Sequence, residues 1–276
     1  MVFPFHVRFG PFAISPVELF AVAGIVLAGL LARRKMSPQP TPGGIIDLIL
    51  AAIVGGAIGA RLFHFVPRYL RGLETLGHLF SDWSQGSGFV GGLLGGTAAV
   101  LWVARLKKLA PLNVADTVGL HIPLGFASGK FGCFLAGCCY GPRRDGFPGM
   151  TFAPGSLVYE TQLQAHEIPH GALRSLPVQP TQLYELGLGL LLFLALRMIY
   201  RRSRRPGETY LSYVLGYAIW RFVIEFFRSD PGRRNFGSAT LTDSQCAAIV
   251  LGALAGSGLA YLRSRKAEGE PPPAPK

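Results

Sequence analysis

Nine ionisable side chains lie inside or at the edges of long apolar stretches of this sequence. They are Glu18, Asp47, Arg61, Asp116, His121, Lys130, Glu185, Arg221 and Glu225. A charged side chain at the centre of a bilayer costs about 2.5–3.5 kcal/mol on insertion scales, so such residues normally face a cavity or a partner and mark function. Packing does not require this many, and we therefore expect one site or water-filled cleft that gathers several of them.

Three of these residues are cations that we expect at a similar depth in the outer half of a membrane: Arg61, Lys130 and Arg221. The abundant anion at that depth is a phospholipid phosphate, which arginine binds through two parallel N–H donors. The sequence therefore predicts a phosphate site. Glu225 follows Arg221 by four residues and shares its helix face, so a purely structural ion pair remains an alternative for Arg221.

Three of the four cysteines, Cys133, Cys138 and Cys139, crowd into seven residues. Their spacing matches neither a zinc finger nor a haem attachment site, and four cysteines are too few for a disulfide scaffold. They could be apolar filling, because free cysteine behaves as a small hydrophobe. A disulfide between Cys133 and one of the adjacent pair, and a reactive-thiol or metal role, are the two alternatives.

The composition indicates that these residues sit in a lipid environment. Of 276 residues, 50% are hydrophobic and only 15% are charged, whereas a soluble domain carries about a quarter charged residues. A water-soluble enzyme and a disordered chain are both excluded on this ground. The net charge of +12 is spread over short clusters between apolar stretches, as in membrane topology signals. We therefore expect no nucleic-acid partner.

Seven segments are apolar over the roughly 20 residues that a spanning helix needs. Dense Lys and Arg clusters follow the first, third, fifth and seventh, which predicts an N-terminus outside and a cytoplasmic C-terminus. The predicted fold is an all-α polytopic membrane protein, one seven-span domain over 1–266 with an external, loop-rich lobe at 140–181 and a disordered tail at 267–276. The predicted spans are 14–32, 44–66, 88–104, 112–136, 182–200, 209–227 and 244–262.

Several of the same segments resemble motifs of a known family. SGKFGCFLAGCCYG at 128–141 is similar to G-R-x-x-N-F-x-N-x-E-x-x-G, the signature of the prolipoprotein diacylglyceryl transferases, with Lys130 at the arginine position. QPTQLYE at 179–185 resembles the family's H-P-S-Q-L-Y-E, and YAIWRFVIEFFR at 217–228 resembles its Y-x-x-x-R-F-x-x-E-F-F-R. Weaker similarities occur in register at 55–63, 88–92 and 241–245.

The resemblance implies an enzyme of the inner membrane. Members of that family transfer the diacylglyceryl group of phosphatidylglycerol to the lipobox cysteine thiol of a preprolipoprotein, giving a thioether and glycerol phosphate. The substrate supplies the nucleophile, so no Ser-His-Asp set is needed. No metal and no cofactor are expected. Arg221 would hold the phosphate or the developing charge, with Lys130 assisting it. The remaining expected substrate-binding residues, which would line or order the cleft, are Arg61, Glu225, Tyr217, Gln182 and Gly141.

The sequence also departs from the family pattern at polar positions. The histidine of F-H-G-G, a candidate for activating the thiol, is Val90, and valine moves no proton. The signature's two Asn and its Glu are replaced by Cys133, Ala136 and Cys138. His121 could supply a replacement base, or be only a helix-packing residue. These departures leave two alternatives: a related transferase with another acceptor, and a non-catalytic phospholipid-binding or transport protein.

Overall fold

The computed structural model describes residues 7–9, 12–36, 40–70, 72, 75, 77, 89–203, 205–228 and 241–264, and the structural statements below concern these residues. The predicted all-α architecture is confirmed; the described strands are β1 and β2, which form a short antiparallel hairpin. The elements are β1 Val7–Phe9, β2 Phe12–Ile14, α1 Pro16–Arg33, α2 Pro42–Leu70, α3 Phe89–Leu106, α4 Pro111–Ala136, α5 Leu157–Gln164, α6 Thr181–Arg202, α7 Glu208–Ile224, a 3-10 turn Glu225–Phe227 and α8 Asp243–Ser264.

A helix lies at each of the seven predicted membrane segments. Five of them, α1, α2, α4, α6 and α8, are long and apolar enough to cross a bilayer. The apolar part of α3, Val90–Leu106, and the 17-residue α7 fall short of that length. The protein is therefore a polytopic membrane protein, while the count of seven spans and the division into one domain remain predictions. The predicted tail at 267–276 lies outside the described residues.

The outward helix faces are apolar, as expected for contact with lipid tails. Ile58 on α2, Leu191 on α6 and Leu254 on α8 are 50%, 65% and 67% exposed. The polar and ionisable side chains Asp116, Gln182 and Glu185 are instead buried between helices. This inverted pattern fits a bilayer, because lipid offers apolar side chains as good an environment as the protein interior does.

Glycines set the closest helix contacts. A methyl group at Gly59 of α2 would overlap the carbonyl oxygen of Gly91 on α3, and one at Gly95 would overlap that of Gly55. On the pair α1 and α4, a Cβ at Gly24 would lie 2.8 Å from the Gly125 oxygen. The glycine-rich runs thus let neighbouring backbones touch, which is the usual packing device of membrane helices.

Asp116 on α4 has a structural partner at the start of α7. Its carboxylate accepts the backbone N–H of Gly207 at 2.7 Å and that of Tyr210 at 2.9 Å. Gly207 precedes α7 in the left-handed conformation, at φ 93°, and offers no capping side chain. Since the first N–H groups of a helix lack partners within it, a carboxylate from the neighbouring helix caps α7.

The segment 140–181 folds into a small lobe between α4 and α6. Its interior contains Tyr140, Phe152 and Val158 of α5 together with neighbouring apolar residues. Backbone hydrogen bonds join the two ends of the lobe. Gly141 N–H donates to the Gln179 carbonyl at 2.9 Å, and Gln179 N–H donates to the Pro142 carbonyl at 3.0 Å. The external location of this lobe remains a prediction.

Candidate functional site

A buried ion pair joins α4 to α6. The Lys130 ammonium lies 2.5 Å from the Glu185 carboxylate, and the two side chains are only 12% and 2% exposed. The ammonium also lies 5.4 Å from the centre of the Phe126 ring, one turn earlier on α4. A charge held this deeply needs a partner, and Glu185 supplies one that sequence reasoning did not assign.

A second ion pair lies at the end of α7. Arg221 Nη2 is 2.9 Å from Glu225 Oε2 and donates to the Ser244 hydroxyl of α8 at 2.8 Å. The helix tightens into a 3-10 turn at Glu225, and this carboxylate is 3% exposed. The i,i+4 pair expected from the sequence is present, and the serine ties it to α8.

Tyr217 connects the two ion pairs. It is buried on α7, edge-on to Phe126 at 5.9 Å between ring centres. Its hydroxyl lies within electrostatic reach of Arg221, Glu185, Lys130 and Arg228. We call these six side chains, namely Lys130, Glu185, Tyr217, Arg221, Glu225 and Arg228, the polar cluster. Three helices and the segment that follows α7 thus bring three cations and two carboxylates into one region of the helix bundle.

Gln182 and Gly141 hold the chain that leaves α4 beside this cluster. The fully buried Gln182 side chain donates through Nε2 to the Cys138 carbonyl at 2.6 Å. Thr181 donates to the Cys139 carbonyl at 2.5 Å. At Gly141 a Cβ would lie 2.6 Å from the Phe227 carbonyl oxygen, so only glycine lets the loop pass the end of α7. Both expected site residues therefore position a backbone segment.

Three thiols meet in this segment. The sulfur atoms of Cys133, Cys138 and Cys139 all lie within 4.8 Å of one another, and the thiols are free. Gly137, left-handed at φ 66°, turns the chain back so that Cys138 N–H reaches the Cys133 carbonyl at 3.1 Å. The Cys138 thiol donates to the Cys133 carbonyl at 3.7 Å.

The sequence comparison agrees with the motif resemblance. The model of the prolipoprotein diacylglyceryl transferase family matches residues 4–261. The chain belongs to this family.

Relatives match over most of their length. The phosphatidylglycerol–prolipoprotein diacylglyceryl transferase of Bordetella parapertussis is 31% identical over 270 residues, 95% of each chain. The protein of the same name from Methylococcus capsulatus is 30% identical over 269 residues, 94% of this chain and 96% of its own. The one from Cronobacter sakazakii is 33% identical over 231 residues, 79% of this chain and 78% of its own.

Within this family member the expected site residues do not all lie together. Lys130, Tyr217, Arg221 and Glu225 belong to the polar cluster, with Gln182 and Gly141 beside it. Arg61 is buried at 6% exposure on α2, the helix that packs on α3 through glycines. Its participation remains a prediction, because the contacts that define the polar cluster come from α4, α6 and α7.

His121 lies away from the polar cluster. It precedes Lys130 on α4 by nine residues, which is about 13.5 Å along the axis and half a turn around it. Its Nδ1 is 2.7 Å from the Thr117 carbonyl oxygen, its ring packs near Phe193, and it is within electrostatic reach of Lys35. This is the environment of a satisfied helix-packing histidine. A base at His121 would therefore act about 13.5 Å along α4 from Lys130.

Val90, which stands at the family's histidine position, is part of the apolar core. It is 8% exposed and clusters with Leu93, Leu120 and Tyr213. The residue that sequence reasoning missed is Arg228, whose charge lies near Tyr217, Lys130 and Cys139. A signal was present, since Arg228 is the last residue of the segment 217–228 that matches the family's F-F-R. Arg228 was not considered as a site residue because the predicted span ends at residue 227.

Proposed function

We propose that this chain transfers the diacylglyceryl group of phosphatidylglycerol to a cysteine thiol of a prolipoprotein. The family and the names of its relatives support the reaction class. The observation that carries the proposal for this chain is the polar cluster, in which Lys130, Arg221 and Arg228 lie within electrostatic reach of the Tyr217 hydroxyl inside a bundle with lipid-facing helices. An anionic lipid headgroup is the ligand that such a site fits best.

The carboxylates of the cluster temper this charge without cancelling it. Three cations and two carboxylates leave one formal positive charge among the five ionised side chains. Lys130 and Arg221 each have a carboxylate partner, and for Arg221 this is the ion pair that the sequence left open as an alternative. Among the described residues, both contacts of Arg221 use Nη2. Each parallel donor pair of a guanidinium includes Nη2, so a phosphate would meet Nη1 or Nε as a single donor.

The chemistry assigned to the cluster is electrostatic. The acceptor sulfur would attack the glyceryl carbon next to the phosphate, forming the C–S bond while the C–O bond breaks. The electron pair leaves on the phosphate oxygen, and glycerol phosphate departs as an anion. Arg221, Lys130 and Arg228 would stabilise this developing charge, since preorganised cations in a water-poor site are worth far more than in water.

Membrane orientation belongs to the same proposal. We place the protein in the bacterial inner membrane with its N-terminus outside, its C-terminus in the cytoplasm and the 140–181 lobe on the outer face. The Lys and Arg clusters after α1, α3, α6 and α8 support this orientation. Reporter fusions ending after Lys35 and after Leu173 of the lobe test it. The first should report cytoplasm and the second the outer side, and the opposite result reverses the orientation.

Transfer of labelled diacylglycerol from phosphatidylglycerol vesicles to a cysteine-containing prolipoprotein peptide tests the function. The wild type should label that peptide and leave its serine counterpart unlabelled. Arg221→Ala should reduce labelling by at least about 100-fold, the loss seen when one charge-stabilising donor is removed. Arg197→Ala, an exposed arginine on α6, is the matched control and should transfer normally. Full activity of Arg221→Ala would reject the phosphate role.

A related transferase with another acceptor is the second candidate. Val90 in the apolar core and the thiols near the polar cluster favour it, because both depart from the family pattern. Complementation of a conditional transferase-deficient strain separates the two functions. Growth supports the prolipoprotein acceptor, whereas lipid cleavage in vitro without growth, despite good expression, supports the second candidate. Lipid binding without any transfer would support a non-catalytic protein.

A further inference from the structure

The three thiols beside the polar cluster have the geometry of a metal site. In a tetrahedral zinc–thiolate centre with Zn–S bonds of about 2.3 Å, neighbouring sulfurs are about 3.8 Å apart. The sulfurs of Cys133, Cys138 and Cys139 lie within 4.8 Å of one another. Side-chain movements of about 1 Å therefore suffice to bring all three to one ion.

The backbone around the thiols is fixed from several sides. Cys133 is held in the last turn of α4, and the left-handed Gly137 directs the next residues back over it. A side chain at Gly137 would also place its Cβ 2.7 Å from that of Ser156. The carbonyls of Cys138 and Cys139 accept hydrogen bonds from the Gln182 and Thr181 side chains at the start of α6. Apolar filling requires none of this support.

The surrounding charges suit a thiolate centre. Lys130 lies within electrostatic reach of Cys133 and Cys139, and Arg228 within reach of Cys139. Three thiolates around a divalent ion carry one net negative charge, which these cations would balance. Soft thiolate ligands select zinc or copper(I) over calcium or magnesium. Zinc with three protein ligands keeps a fourth position for a substrate.

We propose that Cys133, Cys138 and Cys139 bind one zinc ion, whose fourth position takes the acceptor thiol. The second half of this inference rests on the proposed function. On binding zinc, the acceptor thiol would lose its proton to water, since a coordinating thiol is deprotonated outright. The resulting thiolate forms the C–S bond while the phosphate leaves with the C–O electron pair. This would supply the activation that Val90 cannot provide.

Cobalt substitution tests the metal site independently of activity. Reduced, metal-stripped full-length protein in detergent micelles is titrated with Co²⁺. One Co²⁺ per chain should bind, with a thiolate charge-transfer band and tetrahedral visible bands that Zn²⁺ abolishes. Each of Cys133→Ser, Cys138→Ser and Cys139→Ser should weaken binding by more than about 100-fold, beyond the loss seen for outer-shell ligand partners. Cys246→Ser, on α8, is the matched control and should bind normally.

Three results would overturn the metal site. One is the absence of the charge-transfer band in the wild-type protein. This measurement does not depend on whether any variant folds. Another is equal binding by the triple serine variant, which would make the ion adventitious. The third concerns protein whose free thiols are alkylated at lysis. If a peptide containing these cysteines then has a mass two hydrogens below that of its reduced form, two of the thiols are oxidised. That result would assign the thiols to a disulfide.

The open position is tested with the acceptor itself. Adding a cysteine peptide to the Co²⁺ protein should shift the visible bands, and the matching serine peptide should not. An unchanged spectrum would reject the acceptor role of the ion. Transfer that persists in metal-stripped enzyme and in the triple serine variant rejects the inference but leaves the proposed function standing. A shifted spectrum without any transfer from phosphatidylglycerol rejects the proposed function and leaves the metal site.

Discussion

Lys130 and Glu185 form a buried ion pair between α4 and α6, with 2.5 Å between Nζ and Oε2. Glu185 is 1% exposed as a residue, among the most buried charged groups of the described chain. The pair joins α4 and α6, two of the three helices that carry the polar cluster. It also sets the ammonium within electrostatic reach of Tyr217, Cys133 and Cys139, so that structure and proposed chemistry depend on the same contact.

Removal of this carboxylate should destabilise the protein strongly. Glu185→Gln leaves a buried ammonium without its counter-charge, and such a loss costs about 3–5 kcal/mol. The matched control is Asp47→Asn, because Lys107 and Asp47 are also 2.5 Å apart but with side chains 33% and 50% exposed. That change should cost less than about 1 kcal/mol. Thermal unfolding in detergent measures both, and equal shifts would contradict the difference in burial.

Asp116 should contribute to stability through the cap of α7. Asp116→Ala leaves the N–H groups of Gly207 and Tyr210 without their acceptor, at a cost of about 1–3 kcal/mol for a buried unpaired group. Asp116→Asn keeps one acceptor oxygen and should lose less. Denaturant unfolding followed by tryptophan fluorescence gives both values. If alanine and asparagine were equally tolerated, the cap would not be what holds α7.

Gly59 should resist any side chain. Gly59→Ala places a methyl group against the Gly91 backbone, and overpacking of this kind costs about 1–3 kcal/mol. Gly187→Ala on α6 is the control, because its Cβ would meet nothing within 4 Å. That variant should keep or gain stability, since alanine is the better helix former by about 1 kcal/mol. Melting temperatures that fall equally would show that glycine matters for something other than contact.

His121 should be dispensable for the transfer step. It lies about 13.5 Å along α4 from Lys130, and its Nδ1 is satisfied by the Thr117 carbonyl. His121→Ala should therefore change the melting temperature more than the turnover per folded molecule. A general base contributes on the order of 10²–10⁴-fold. A folded variant whose rate drops by that much, with an altered pH profile, would restore the role of replacement base.

The sequence predicted the helices well because each is a local property. Apolar length and flanking charge locate a span without knowledge of its neighbours, and the glycine runs of α2 and α3 already indicate close packing. The Arg221–Glu225 pair was equally accessible, since four residues on a helix fix a shared face.

The partners across helices could not be predicted in this way. Which carboxylate meets Lys130 depends on the rotation and depth of α4 relative to α6, and one sequence does not encode that in any periodicity. The same limit applies to Asp116 and to the convergence of the three thiols, which needs the reversal at Gly137. Arg228 was missed because the end of a span was taken as the end of the site.

The hydrogen bonds between Gly141, Pro142 and Gln179 make the excursion of 140–181 start and finish at one point. Its length is therefore decoupled from the register of the helices on either side. Lengthening at the exposed tip, where Gly171 has open space around it, leaves the ammonium–carboxylate distance untouched. The lobe can therefore vary in length and shape while the distances between the buried side chains of α4 and α6 stay the same.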